Sequence, residues 1–479
     1  MTVTEFDTAQ DTARVTEQDL EKTAVSAAEQ PLGWFGIFRL GLVQTALGAI
    51  VVLTTSTLNR VMVVEIGLAA MLPGALVALH YVVQLSRPRW GHGSDVGGRR
   101  TPWIVGGMAV LALGGFGAAA ATALMATHFW LGLMASIVSF ILIGGGVGAA
   151  GTSLLTLLAT RVAPARRAPA ATIVWVMMII GFIITAGTAG SFLDPFSMSR
   201  LVAVTGIVSL IAFAVTLIAV VGIEKTPSRA NRANANETAS LDKPDFWTVL
   251  REVWDEPKSR RFAIFVFASM LAYSAQDLIL EPYAGSVFGF TPGESTKLAG
   301  VQHGGVLVGM VLVALAGLGF RGRRFGSLQA WTVGGCTASA LALFALACSG
   351  FVGPAWPLKL NVFALGLANG AFAVAAIGSM MGLAAEGGKG REGVRMGVWG
   401  AAQAIAFGLG GFLGTVGVDL TRALTGSVAQ SYMAVFTLEG FVFLISAVLA
   451  VRVGMDFVQE SRNRLSVAGD GYLAGVGGP

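Results

Sequence analysis

Two short segments of this 479-residue chain concentrate the side chains able to do chemistry. They are Asn59-Arg60-Val-Met-Val-Val-Glu65 and Gln276-Asp277-Leu-Ile-Leu-Glu281-Pro282-Tyr283. Laid on each other as repeats, Arg60 meets Gln276 and Glu65 meets Glu281. If the segments face one another in a pseudo-twofold bundle, Arg60 is placed to neutralise Asp277 or Glu281 across a cavity. Asp277 and Glu281 stand one helical turn apart and share a face, which suits a polar cavity wall or a shared cation site, with interfacial solvation as the alternative. Arg60 and Glu65 can also reach water at an outer rim.

The elements that carry these segments follow from composition. Residues of the hydrophobic types make up 54% of the chain and charged residues 12%. A soluble domain carries about twice that charge, so lipid is the expected solvent, and apolar runs of roughly 20 residues, enough to span a bilayer as helices, recur from Phe38 to Val453. Backbone groups in hydrocarbon must be satisfied within the segment, which makes the spans helical. The apolar runs predict spans over 37–58, 66–86, 103–126, 130–160, 170–193 and 199–222, then 260–282, 297–320, 327–350, 358–385, 394–420 and 431–453. The expected fold class is an all-α membrane protein with twelve transmembrane helices. It divides into a polar tail over 1–32, a six-helix half over 33–223, a polar linker over 224–259, a second half over 260–454 and a tail over 455–479. Six spans, a linker and six more is the arrangement of two parallel repeats.

The net charge of +5 is explained by its placement. Cations gather in alternate connections, among them Arg99, Arg100, Arg166, Arg167, the stretch from Lys225 to Arg261, Arg323, Arg324 and Arg391, while the opposite face keeps Arg60, Arg200, Lys297, Lys359 and Arg422. That asymmetry puts both termini in the cytoplasm and makes nucleic-acid binding unnecessary. The acidic first 30 residues lack the basic-then-apolar order of a cleaved signal and read as a disordered tail.

Ionisable residues inside spans are costly and therefore candidates for function. His80 and His303 have no second ligand at metal-site spacing, so no closed metal site is expected. Each is either a hydrogen-bonded packing residue or a lone axial ligand to the magnesium of a chlorophyll-type macrocycle. Gln84, Gln302, Asn361, Asn369 and Gln403 read as interhelical glue. Glu439 falls inside the last span, where a peripheral helix would face lipid. Cys336 and Cys348 share one span about 18 Å apart, too far to pair. The 64 glycines, densest in Gly144-Gly-Gly-Val-Gly-Ala-Ala-Gly151, read as close helix packing. No nucleophile elbow, phosphate loop or metal cluster is present, so an enzyme is not expected.

Between the second and third spans lies Gly91-His-Gly-Ser-Asp95-Val-Gly-Gly98-Arg99-Arg100, which resembles the GxxxDxxGRR loop of major facilitator proteins. Its glycines permit a tight turn, Asp95 can accept from a helix amino end or an arginine, and the arginines stay cytoplasmic, so the cluster can latch the two halves in one state and release them in another. The equivalent Phe320-Arg-Gly-Arg-Arg324 lacks the aspartate. The pairing of Leu58-Asn-Arg-Val-Met-Val-Val-Glu65 with Gln276-Asp-Leu-Ile-Leu-Glu-Pro-Tyr283 further resembles the PucC family of phototrophic bacteria, over roughly 33 to 453. That resemblance implies a major facilitator-like protein of the bacterial inner or intracytoplasmic membrane that handles bacteriochlorophyll and supports light-harvesting complex assembly. Asn59, Arg60, Glu65, Gln276, Asp277, Glu281 and Tyr283 would then line a cavity, and His80 and His303 would be candidate pigment ligands. Bacteriochlorophyll enters as substrate, with no tightly bound cofactor, and antenna polypeptides or pigment-synthesis enzymes are the expected partners. The loop after the second span is shorter than expected of antenna-assembly members, which points to a paralogue tied to pigment synthesis. A mostly apolar cavity suits a greasy tetrapyrrole, and a lipid-facing crevice where the halves meet would admit it sideways. A secondary transporter of a small solute and a non-transporting assembly scaffold are the alternatives.

Overall fold

The computed structural model describes residues 32–87, 99–163, 166–224, 251, 254–318, 326–386 and 392–474, with the backbone alone over 380–386, 392–401 and 453–474. Gly91, Asp95 and Gly98, the 1–31 stretch and most of the linker lie outside the described residues. Among the described residues the chain forms twelve long helices. These are α1 (Trp34–Glu65), α2 (Met71–Gln84), α3 (Thr101–Met125), α4 (Phe129–Arg161), α5 (Arg167–Leu193) and α6 (Met198–Val220). After the linker follow α7 (Pro257–Phe288), α8 (Pro292–Leu318), α9 (Leu328–Val352), α10 (Leu358–Glu386), α11 (Glu392–Thr425) and α12 (Val428–Ala474). Eleven helical segments are long and apolar enough to cross a membrane, and α2 is a shorter apolar helix.

The pattern of packing repeats at an offset of six helices. α1 packs on α5 and α6, α2 on α4, and α3 on α4 and α6; correspondingly α7 packs on α11 and α12, α8 on α10, and α9 on α10 and α12. The two sets meet where α5 lies along α8 and α2 along α11. Large apolar side chains such as Leu113, Trp130, Leu210 and Ile218 point outward, as a lipid-facing surface requires, while small residues draw the helices together. The contact of α8 with α10 is a reciprocal glycine seam. A Cβ at Gly305 or Gly309 would stand 2.3 or 2.1 Å from the Phe363 or Leu367 carbonyl, and one at Gly366 or Gly370 2.0 or 2.1 Å from that of Gln302 or Val306. In the glycine-rich stretch of α4, Gly144 abuts the His80 carbonyl on α2 and Gly146 abuts Leu111 on α3, so it is a packing element.

Several boundaries depart from the hydropathy reading. α1 runs on to Glu65, the chain over 66–70 is irregular, and α2 begins at Met71 instead of 66. Ile66 to Ala70 is apolar enough to extend a hydropathy window, but the backbone turns there at Gly67, whose φ of +77° places it in the left-handed region. α12 continues to Ala474, through most of the stretch read as a tail. The apolar groove of about 480 Å³ lined by Val83, Trp103, Gly106, Ile141 and Gly145 lies among α2, α3 and α4, not at the seam between the two sets.

Gly366→Ala and Gly309→Ala should each destabilise the protein by about 1–3 kcal/mol, because the atoms met are backbone and the helices must separate. Gly145, which meets nothing within 4 Å, should accept alanine without loss and gain up to about 1 kcal/mol of helix propensity. Thermal unfolding of the purified protein in detergent distinguishes the two classes.

Candidate functional site

The upper part of α1 is not a regular α-helix. Two π-helical turns, Leu53–Thr57 and Val61–Glu65, flank the single α-turn Leu58–Arg60. Thr54 and Thr55 both donate to the Val51 carbonyl, at 2.9 and 3.0 Å, competing with the backbone for it, and the wider turns re-aim the residues between them. Asn59 and Arg60 sit on that re-aimed turn and are buried.

Opposite them, α7 contains Pro282. Proline has no N–H, so the carbonyl four residues earlier, that of Leu278, loses its helical partner. Asn59 Nδ2 reaches across from α1 and donates to that carbonyl at 2.5 Å. Arg60 follows the same route: it ion-pairs with Glu65 on its own helix and its Nη2 donates to the Phe290 carbonyl at 2.6 Å. Gly289, at φ +71°, ends α7 and turns Phe290 toward Arg60. Arg60 thus bonds neither Asp277 nor Glu281 directly, while its charge reaches Glu281. Its ion pair is the local one with Glu65, while Glu281 is buried within its electrostatic reach, with the Ser295 hydroxyl beside its carboxyl group. Arg60 is 2% exposed and is not a rim residue.

The same end of the bundle carries further ties between the two sets. Thr57 Oγ1 bonds Thr296 Oγ1 at 3.0 Å. Asp419 on α11 accepts from the Ala70 and Met71 amides at 3.0 and 2.7 Å, capping the amino end of α2 with negative charge. Asp194, after α5, accepts from Thr291 Oγ1 at 2.8 Å and the Gly293 amide at 3.3 Å. A cleft of about 560 Å³ opens here, lined by Arg60, Glu65, Asp194, Phe196, Phe290 and Glu294.

Deeper in the bundle, Asp277 is half-buried and accepts from Gln302 Nε2 at 3.3 Å. Tyr81 and Tyr273 lie within its electrostatic reach, and both ring-stack loosely on Phe407, with centroids 5.8 Å away in each case. The two histidines differ. His80 Nε2 lies 2.7 Å from Gln84 Nε2, so the amide occupies that lone pair, and the ring is otherwise enclosed beside the Val77 backbone. His303 bonds the Ala299 carbonyl through Nδ1 at 2.8 Å, packs edge-on to Phe182 of α5, and has no hydrogen-bond partner at Nε2 among the described residues. Tyr283 is fully buried, bonds Ser349 at 2.6 Å and packs on Phe436, away from the seam between the sets. Gln276 is buried with neither amide atom paired, and Glu439 is 4% exposed, inside the last six helices and not facing lipid.

Of the loop before α3, Arg99 and Arg100 are described. The acid at the amino end of α3 is Glu224, which accepts from the Arg100 amide and the Thr101 amide at 2.9 and 2.7 Å. Arg100 also donates to Thr160 at 3.0 Å. Glu224, Asp194 and Asp419 escape a sequence reading because isolated acids near loops look solvated; Thr57 and Thr296 escape it because hydroxyls are common in spans.

Asn59→Leu should destabilise the protein by about 1–3 kcal/mol by leaving a buried carbonyl unpaired. Pro282→Ala restores the helical N–H, so in that background Asn59→Leu should cost markedly less. A double-mutant cycle read by thermal unfolding measures the coupling, and strict additivity would refute the pairing.

The geometry can be compared with known proteins. Two solved structures share the fold: a peptide transporter, POT, in complex with sulfate, at TM-score 0.63 and 14% identity over 91% of this chain and 98% of that one, and a D-xylose-proton symporter, at 0.61 and 16% over 86% and 96%. This is the major facilitator type of transporter fold. Among curated proteins, the bacteriochlorophyll synthase 44.5 kDa chain of Rhodobacter capsulatus is 53% identical over 422 residues, covering 88% of this chain and 96% of that protein. Protein PucC of Cereibacter sphaeroides is 31% identical over 449 residues, covering 88% and 93%. The family model described as PUCC protein matches residues 57–456, a span that includes both polar segments, and this multi-pass membrane chain belongs to the PucC family.

Proposed function

We propose that this chain is a membrane carrier or assembly factor that handles bacteriochlorophyll or a precursor and supports assembly of light-harvesting complexes. The observation that carries the reading is His303. Donation from Nδ1 to the Ala299 carbonyl fixes the tautomer, as a second partner does for metal-bound histidines, and leaves the Nε2 lone pair for an axial bond. The ring of a magnesium tetrapyrrole supplies the other four ligands, so one histidine suffices. His303 sits on the α5–α8 seam, and the half-buried Tyr81, Tyr273 and Phe407 provide faces for a flat macrocycle. His80, its Nε2 taken by Gln84, serves packing.

The names of the relatives support the pigment class, and the likeness to transporters supports a carrier in preference to an enzyme. A chain related to one named as part of a synthase fits a role of passing pigment or precursor between synthesis enzymes and antenna polypeptides. The six-offset packing supports two six-helix halves, and the cationic connections support cytoplasmic termini in a bacterial inner membrane. The Asn59, Arg60, Asp194 and Asp419 ties then close the outer side. Transport of a small solute is the second reading, favoured by the fold and by the polar outer cleft.

Protein purified mildly from a phototrophic host should carry a tetrapyrrole absorption. His303→Phe should lower pigment per protein by about tenfold or more, the lower bound being what loss of an outer-shell partner already costs a metal site. His80→Gln should retain it. Pigment-free wild type, or equal loading of the His303 variant, would end this reading, and gradient-driven uptake of a soluble compound by proteoliposomes would favour the second. For topology, in a chain freed of Cys336 and Cys348, an impermeant thiol reagent should modify Ser228→Cys in inverted vesicles and Thr127→Cys in right-side-out ones.

A further inference from the structure

We infer that Glu439, Gln276 and Asp277 form a proton-binding site inside the last six helices, loaded from the bundle interior through Asp277. The contact of α7 with α12 fixes the level. Tyr283 meets Tyr432 with ring centroids 5.4 Å apart and Phe436 at 5.1 Å, so the helices run past each other in opposite senses from this point. Seven residues, about two turns, back along α7 bring Gln276 onto the face of Tyr283; seven forward along α12 bring Glu439 onto the face of Tyr432. The two side chains therefore stand at one level of the same contact.

Both are enclosed and unsatisfied: neither oxygen of Glu439 and neither amide atom of Gln276 has a hydrogen-bond partner. A bare carboxylate there would bear the full cost of desolvation. No group of three metal-ligating side chains occurs among the described residues, and a proton neutralises Glu439 without one. Donation of the O–H of a protonated Glu439 to Gln276 Oε1, and of Gln276 Nε2 to the remaining carboxyl oxygen, would satisfy both groups. Asp277, next to Gln276 and half-buried, is within electrostatic reach of Glu439 and is held by Gln302 of α8 at 3.3 Å. It takes a proton from water in the interior and passes it to Glu439; only O–H bonds are made and broken.

The other titratable or charged groups within the spans packed on α12 are Arg260, Arg261, Tyr273, Glu281 and Tyr283 of α7, Cys336 and Cys348 of α9, and Asp419 and Arg422 of α11, the two arginines of α7 lying at its opposite end, more than four turns from Gln276. Among these helices no cation stands at the level of Glu439; Arg422 lies at the far end, near the α11–α12 turn. Proton loading is thereby linked to closure of the bundle, since the same stretch of α7 offers the Leu278 carbonyl to Asn59.

The site needs no pigment, so its test is separate from that of His303. Infrared spectra of the full chain in liposomes should show the carbonyl stretch of an enclosed protonated acid that is lost in Glu439→Gln. In Asp277→Asn the band should remain, with exchange of its proton for deuterium slowed at least about tenfold. If Glu439→Gln cannot be purified, Glu439→Asp, which keeps the acid, should shift the band. A band unchanged by substitution at 439, absent from the wild type at every pH, or exchanging equally fast without Asp277 would overturn the proposal.

Discussion

One missing N–H organises the end of the bundle where the two sets of helices meet. Pro282 leaves the Leu278 carbonyl without its helical donor, in a place where water cannot replace it, and Asn59 of α1 supplies the bond at 2.5 Å. An unpaired carbonyl in hydrocarbon is costly enough to dictate its neighbour, so α1 must present an amide at that height. The π-turns on either side of Leu58–Arg60 bring that turn into place, and they place Arg60 beside Asn59 as a consequence. Thr57, Arg60, Asp194 and Asp419 then add bonds to an approach that the carbonyl has already fixed.

The electrostatics there are asymmetric. One guanidinium serves Glu65, which is partly exposed, and lies near Glu281, which is enclosed beside the Ser295 hydroxyl. A buried acid without a partner persists only in its neutral form, whereas a partly exposed one can be solvated when its cation leaves. Glu65 can therefore be solvated from the cleft if Arg60 moves, and Glu281, 2% exposed, cannot.

The spans were legible because twenty apolar residues have few other uses, and the two polar segments stood out because acids and arginines are rare among them. What Arg60 binds was not legible. Repeat alignment set it against Gln276 and the acids of α7, but the π-turn after Arg60 brings Glu65 closer than any helical spacing suggests. The role of Pro282 was equally hidden, since it depends on a side chain more than two hundred residues away. The start of α2 was missed because hydropathy does not register a turn made of apolar residues. His80 and His303 look alike as letters; their difference lies in the residue one turn later, Gln84 after the first and Leu307 after the second.

Helix α8 combines close packing within its own set with presentation of His303 to the other. Gly305 and Gly309 press its backbone against α10 so closely that no side chain fits between them. At 100° per residue, His303 lies about 200° from Gly305, on the far side of the helix, where α5 and Phe182 are. The glycine seam therefore does two things with one spacing: it fixes α8 rigidly within its own set, and it turns the imidazole toward the other. A ligand bound at Nε2 would be held by one set and touched by both, so any relative movement of α5 and α8 would act on the ligand directly.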